Sequence, residues 1–313
     1  MPLFGRHRPV QPSDEERQAA EVDLERIRQG GIPLGAEERL KRVASASTPF
    51  FTSDLSSKEY ALASASGLQP VAQIMGSSVV QHGWSNYGWG GFYGGIQELP
   101  SFAEPWNLAR ERAFDRLEQE ARFAGAHGVI GIETTAAGTL GEADNVEYVV
   151  FGTAVRDTGV TPRDPARVAM CALSGQDVDK LRRIGAEVIG VIGHTSVVAV
   201  ALDPSSNYIM NSSGFWGAGA TNIEIPQITQ GVYAARQLAF SEVERQARLA
   251  GANDMVISTL RHSIHHQEYD RGGVKSHFFI VSMHVLGTAI RLGAHEPHPS
   301  PLKTPVLSIN LGS

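Results

Sequence analysis

The stretch 109-ARERAFDRLEQEARFAGAHGVIGI returns at residue 235 as ARQLAFSEVERQARLAGANDMVIS. Over positions 109 to 126, ten of eighteen residues coincide: Ala109, Arg110, Ala113, Phe114, Glu118, Ala121, Arg122, Ala124, Gly125 and Ala126. Two further blocks recur in the same order. FGTAVR closes at Arg156 and LGTAIR at Arg291; upstream, 67-GLQPVAQIMGSSVV resembles 185-GAEVIGVIGHTSVV. The offsets, 118, 126 and 135 along the chain, put the length differences in loops, where insertions are tolerated best. A repeat of this length implies two diverged copies of one small unit.

The central block reads as a helix. Ala113, Phe114, Leu117, Ala121 and Ala124 recur at helical spacing, and Gly125 sits just beyond them, where a C-terminal cap takes positive φ. Ala239, Phe240, Val243, Ala247, Ala250 and Gly251 repeat the pattern, and the small alanines imply close packing on a sheet. The last block reads as two strands, GVIGIETT and VEYVVFGTAVR in one copy, DMVISTLRH and SHFFIVSMHVLGTAIR in the other. The first block is another strand, preceded by a short helix in LSSKEYALASAS and GQDVDKLRRI. Each copy therefore predicts an α+β unit with a three-stranded antiparallel sheet and one covering helix. The exposed sheet faces would be too apolar for water, so the sheets are expected to pack on each other, within the chain or between chains.

Outward from the copies, residues 1–46 hold eight Lys/Arg against eight Asp/Glu. Residues 13–29 look helical, with Val22, Leu24 and Ile27 as a thin apolar edge, and read either as an arm or as a docking helix that recruits a protein partner. The copies occupy 47–157 and 168–292, and a Pro-rich tail fills 293–313. The loop 82-HGWSNYGWGGFYGG is rich in glycine and aromatics, as is 214-GFWGAGA at the equivalent place. Trp84, Tyr87, Trp89, Phe92, Tyr93, Phe215 and Trp216 are the candidate oligomer contacts, since Trp and Tyr are favoured at interfaces.

The totals narrow the function. At 313 residues, 42% hydrophobic and 19% charged, the chain has material for about two cores. A net charge of -6, and no Lys or Arg between Gln81 and Leu108, argue against nucleic acid. No apolar run is long enough to span a bilayer, and the N-terminus lacks the apolar region of a secretory signal, so a cytoplasmic address is expected. Cys171, the single cysteine, sits in the apolar run VAMCAL and reads as a buried small hydrophobe. There is no G-x-S-x-G elbow, no P-loop and no paired carboxylate in a recognisable setting, so no catalytic residue is named and no enzyme is expected.

The one ligand-like cluster is 262-HSIHHQEYD with His277 beyond it. His262, His265, His266 and His277 are the candidate metal residues, suited to a divalent transition metal. A polar surface hairpin explains the same residues, because His265 and His266 are neighbours and face opposite sides of a strand.

The pattern A-R-x-x-A-F-x-x-[LV]-x-x-x-A-R-x-x-G-A, followed by a strand, a turn and a strand closing on G-T-A-[VI]-R, resembles the YbjQ-like family, as does Gly94-Gly95 ahead of the helix. That family carries a heavy-metal-binding label and is otherwise of unknown function. The resemblance spans residues 48–156 and 169–291. It implies a tandem duplication of a β-α-β-β, dodecin-like unit in a bacterial protein, and homo-oligomeric, pentamer-like rings with a scaffold or binding role. It carries no metal ligand onto any position of this chain.

Overall fold

The computed structural model describes residues 13–46, 55–81, 95–138, 145–158, 168–212, 223–271 and 274–293. The architecture is mixed α+β. Helices α1 (Asp14–Arg28), α2 (Leu34–Ser45) and α3 (Ser57–Ala65) lead into β1 (Leu68–Gln81) and β2 (Gly95–Glu98). Then come α4 (Pro100–Phe123), β3 (Gly128–Ala137), β4 (Asn145–Asp157), β5 (Ala169–Met170) and α5 (Gly175–Arg183). The chain ends with β6 (Ala186–Ala201), α6 (Pro204–Ser212), α7 (Pro226–Leu249), β7 (Asp254–Arg271) and β8 (Val274–Leu292).

Two sheets result, in the orders β1-β4-β3-β5 and β2-β6-β8-β7. Each has four strands, not the three expected from the sequence. The antiparallel trio of each is as predicted, but both gain a strand from elsewhere in the chain. β5 adds parallel to β3, and β2, which precedes α4, adds antiparallel to β6 of the other sheet. An unsatisfied sheet edge is a template for any nearby extended segment.

Helix α4 covers the first sheet. Ala109, Ala113, Leu117 and Ala121 are fully buried along one stripe. The alanines let the helix backbone approach until a Cβ at Gly76 of β1 would overlap the Ala113 carbonyl. The helix stops at Gly125, φ +64°, with Ala126 N–H donating to the Ala121 carbonyl (3.0 Å) and Gly125 N–H to that of Arg122 (2.9 Å). α7 covers the second sheet in the same manner through Ala235, Ala239 and Val243, and stops at Gly251, φ +79°.

The sheets do not meet face to face over their whole length. The N-terminal half of α4 also packs on the face of the second sheet turned away from α7, where Leu99 and Ala103 meet Val197, Ala199 and Ile280. Towards the other end, α3, β5 and α5 join the sheets through Ile130, Val155, Cys171 and Val178, with Val188 and Val256 against them. Cys171 is buried here. Of the N-terminal helices, α2 docks through buried Leu40, while α1 buries no residue and Val22 and Leu24 stay exposed. Arg116 and Gln119 of α4 hold the turn between them, donating to the Gly31 (3.2 Å) and Gly30 (2.8 Å) carbonyls. No helix of the described residues is long and apolar enough to cross a membrane.

Candidate functional site

Beyond the N-terminal half of α4, the sheets border a partly open cavity of about 290 Å³. Its walls follow from the periodicities of the elements around it. Trp106 and Arg110, four residues apart, lie on one face of α4. Thr134 and Ala136 alternate inward on β3, and Tyr148 stands opposite Ala136 on β4. From the second sheet, β7 contributes Thr259, Arg261, Ser263 and His265 at alternate positions, and exposed His262 between them. Thr195, His284 and Arg261 form one row across β6, β8 and β7, because His284 is in register with both of the others.

His284 is held on several sides. Its Nδ1 lies 2.9 Å from Thr195 Oγ1 and its Nε2 3.3 Å from Ser282 Oγ, and Trp106 meets it edge-on with ring centroids 4.8 Å apart. Burial, reinforced by the charges of Arg110 and Arg261, lowers its pKa from 6.5 to about 4, so the ring is neutral at pH 7. Burial likewise raises the Tyr148 phenol, against the pull of the same two arginines. Arg110 is half-buried and donates to Asn107 Oδ1 (2.7 Å); Asn107 in turn bridges both backbone groups of Thr195. Neither Arg110 nor Arg261 forms a salt bridge among the described residues. The indole Nε1 of Trp106 is buried without a hydrogen-bond partner. No carboxylate is among the described residues that line the cavity.

The four histidines singled out in the sequence divide between two places. His262 and His265 line the cavity. His266 pairs with Phe279 across the ladder, stacks on it (4.9 Å), and meets His277 diagonally, Nε2 to Nδ1 at 2.8 Å. The other nitrogen of His277 contacts Asn211 Oδ1 at 3.0 Å. Among the described residues no group of three or more His, Cys, Asp or Glu is placed to hold a metal ion. Trp84, Tyr87, Trp89, Phe92, Tyr93, Phe215 and Trp216 lie outside the described residues.

Sequence reasoning passed over Trp106, Arg110, Arg261 and His284. Arg110 belongs to the repeated block and has Arg236 as its counterpart, which lies over the Phe240 ring (5.2 Å) on the surface. Nothing local separates the two arginines; only the neighbouring sheet does.

A family model described as "Putative heavy-metal-binding" (YbjQ_1) matches residues 90–158. An encapsulin nanocompartment protein of Mycobacterium tuberculosis is 30% identical over 249 residues, which is 76% of this chain and 88% of that protein. Residues 90–158 thus carry a YbjQ-like domain, and the chain belongs to the family of the Mycobacterium tuberculosis protein. UPF0145 proteins of Thermus thermophilus and Methanococcus vannielii are 44% and 36% identical over 59 and 58 residues. Those matches cover 19% and 18% of this chain and 50% and 53% of the two relatives, so the chain spans about half the length of each. No solved structure matches. The YbjQ-like match takes in β2, α4, β3 and β4, and with them the Trp106, Arg110, Thr134 and Tyr148 side of the cavity.

Proposed function

We propose that this YbjQ-like chain is a self-assembling, non-catalytic scaffold. On this reading residues 47–157 and 168–292 are two copies of one unit, and the contact that joins them within the chain is repeated between chains. A mismatch in burial carries the reading. In the first copy the donor surface is covered: Leu99, Ala103 and Trp106 are 1%, 6% and 5% exposed against the second sheet. The counterparts 126 residues on are Ile225, Thr229 and Val232; Ile225 and Val232 are half-buried against the second core, Thr229 is exposed, and Tyr233, the counterpart of Asn107, is 65% exposed. Ile223–Ile225, the counterparts of Gln97–Leu99, have no strand to pair with among the described residues.

The acceptor surface shows the reverse. Thr195 and Val197 of β6 are 2% and 0% exposed beneath α4, and β2 occupies the β6 edge. The counterparts 118 residues earlier are Ser77 and Val79 of β1, and Val79 is 64% exposed on a strand whose outer edge carries no further strand among the described residues. Among the described residues one donor and one acceptor are thus left at least partly open on each chain. A heterologous contact of this kind closes into a ring when its rotation permits and otherwise runs on as a filament. The encapsulin relative's name, a protein of a nanocompartment, supports a place in a protein assembly.

Native mass spectrometry of the untagged full-length chain tests this. We expect more than one chain per particle, and Val79→Glu to reduce it; a monomeric wild type at micromolar concentration contradicts the scaffold. The same spectrum addresses metal binding, the second reading, for which the direct His266–His277 contact is the support: a bound metal mass that disappears in His266→Ala would favour it.

A further inference from the structure

We infer that the cavity between the two sheets is a binding site for a small organic dianion, a phosphate monoester or a dicarboxylate. Arg110 from α4 and the solvent-exposed Arg261 from β7 line one pocket, which opens to solvent on the Arg261 side. Neither forms a direct salt bridge among the described residues, although Glu111 and Glu242 lie within electrostatic reach of Arg110, and no described lining residue is acidic. A guanidinium has five N–H donors to satisfy. Arg110 commits a donor to Asn107, leaving the rest of its fork for an acceptor from outside the protein. An oxyanion supplies that acceptor in the planar, bidentate geometry a guanidinium matches.

The remaining lining fits an anion and not a cation. The Trp106 Nε1–H is a donor only, it is buried, and it has no partner. A buried unsatisfied donor is costly, and a ligand oxygen could reach this one only after a small shift of the indole. Tyr148 and Thr195 offer hydroxyls on the two sheet walls. His284, kept neutral by burial and by the two arginines, adds no further positive charge. The volume, about 290 Å³, is near the lower end for small-molecule pockets of about 300–1,000 Å³. It leaves room for a few carbon atoms beside a phosphate or between two carboxylates, and the indole and phenol rings give those carbons an apolar wall. Two positive groups match a charge of two in the ligand. The site lies between the sheets, so a bound dianion would tie the two halves of the chain together.

Isothermal titration of the full-length protein with sodium phosphate and with sodium succinate, at matched ionic strength, tests the assignment. The expected result is saturable binding at one site per chain for at least one of the two, with the stronger of them naming the ligand class. Arg261→Gln, at the open side of the cavity, is expected to weaken it at least tenfold. Arg110→Lys, which keeps the charge and loses the fork, is expected to weaken it as well, with an unchanged circular dichroism spectrum. No saturable binding of either probe overturns the proposal, and so does binding that survives in Arg261→Gln and Arg110→Lys alike.

Discussion

His284 is the residue at which the interior chemistry can be read by titration. Its folded pKa, about 4, lies below the 6.5 of an unfolded chain, so the unfolded state takes up a proton that the folded state refuses. The stabilising difference is complete above pH 6.5 and is lost as pH falls from 6.5 towards 4. At 1.36 kcal/mol per pH unit the loss amounts to about 3 kcal/mol. Urea unfolding at fixed protein concentration, at pH 7 and pH 4.5, is expected to show this loss in the wild type and much less of it in His284→Gln. Equal losses in both proteins would place the acid sensitivity elsewhere. At this scale the sequence is least informative. His262 and His265 were visible as a cluster and do reach the cavity, but Trp106, Arg110, Arg261 and His284 stand far apart along the chain and converge only when the sheets are in place. The aromatic candidates in 84–93 and at 215–216 lie outside the described residues.

Among the elements, α4 and β1 are the pair whose fit is tightest. The closeness of the Ala109, Ala113, Leu117 and Ala121 stripe to the strand depends on Gly76, where any Cβ would overlap the helix backbone. Gly76→Ala is expected to cost about 2–3 kcal/mol in urea unfolding or to prevent folding. Gly190→Ala, where a Cβ would meet nothing within 4 Å, is expected to stay within about 0.5 kcal/mol. A well-tolerated Gly76→Ala would mean that the helix sits farther from the sheet than described. The helix stripes, their glycine stops and the three antiparallel strands of each sheet were legible, because each is written locally as a period of 3.6 or 2 or as a glycine beyond a stripe. The fourth strands were not. β2 has four residues and β5 two, too few to show a period, and their pairing is decided by the edge they meet. The 24-residue helices α4 and α7, each with a proline at its start, keep the 126-residue offset seen in the sequence. α6 had no such signature and was absent from the sequence reading.

For the whole molecule the layers alternate: α7, the second sheet, α4, the first sheet. One end of this stack is a helix with Tyr233 exposed, the other a sheet with Met75 (49% exposed) and Val79 exposed. On the proposed reading, this sheet face and the start of α7, which is partly uncovered among the described residues, are the two halves of the contact formed in the middle. The measurement that tests this account most directly uses two variants, each lacking one half. Ile223→Glu/Tyr233→Glu removes the donor and keeps the acceptor; Met75→Glu/Val79→Glu does the reverse. By native mass spectrometry each alone is predicted to be a monomer, and an equimolar mixture to form a dimer holding one chain of each and nothing larger. A mixture that stays monomeric, or either variant alone assembling as the wild type does, would contradict head-to-tail assembly through these surfaces.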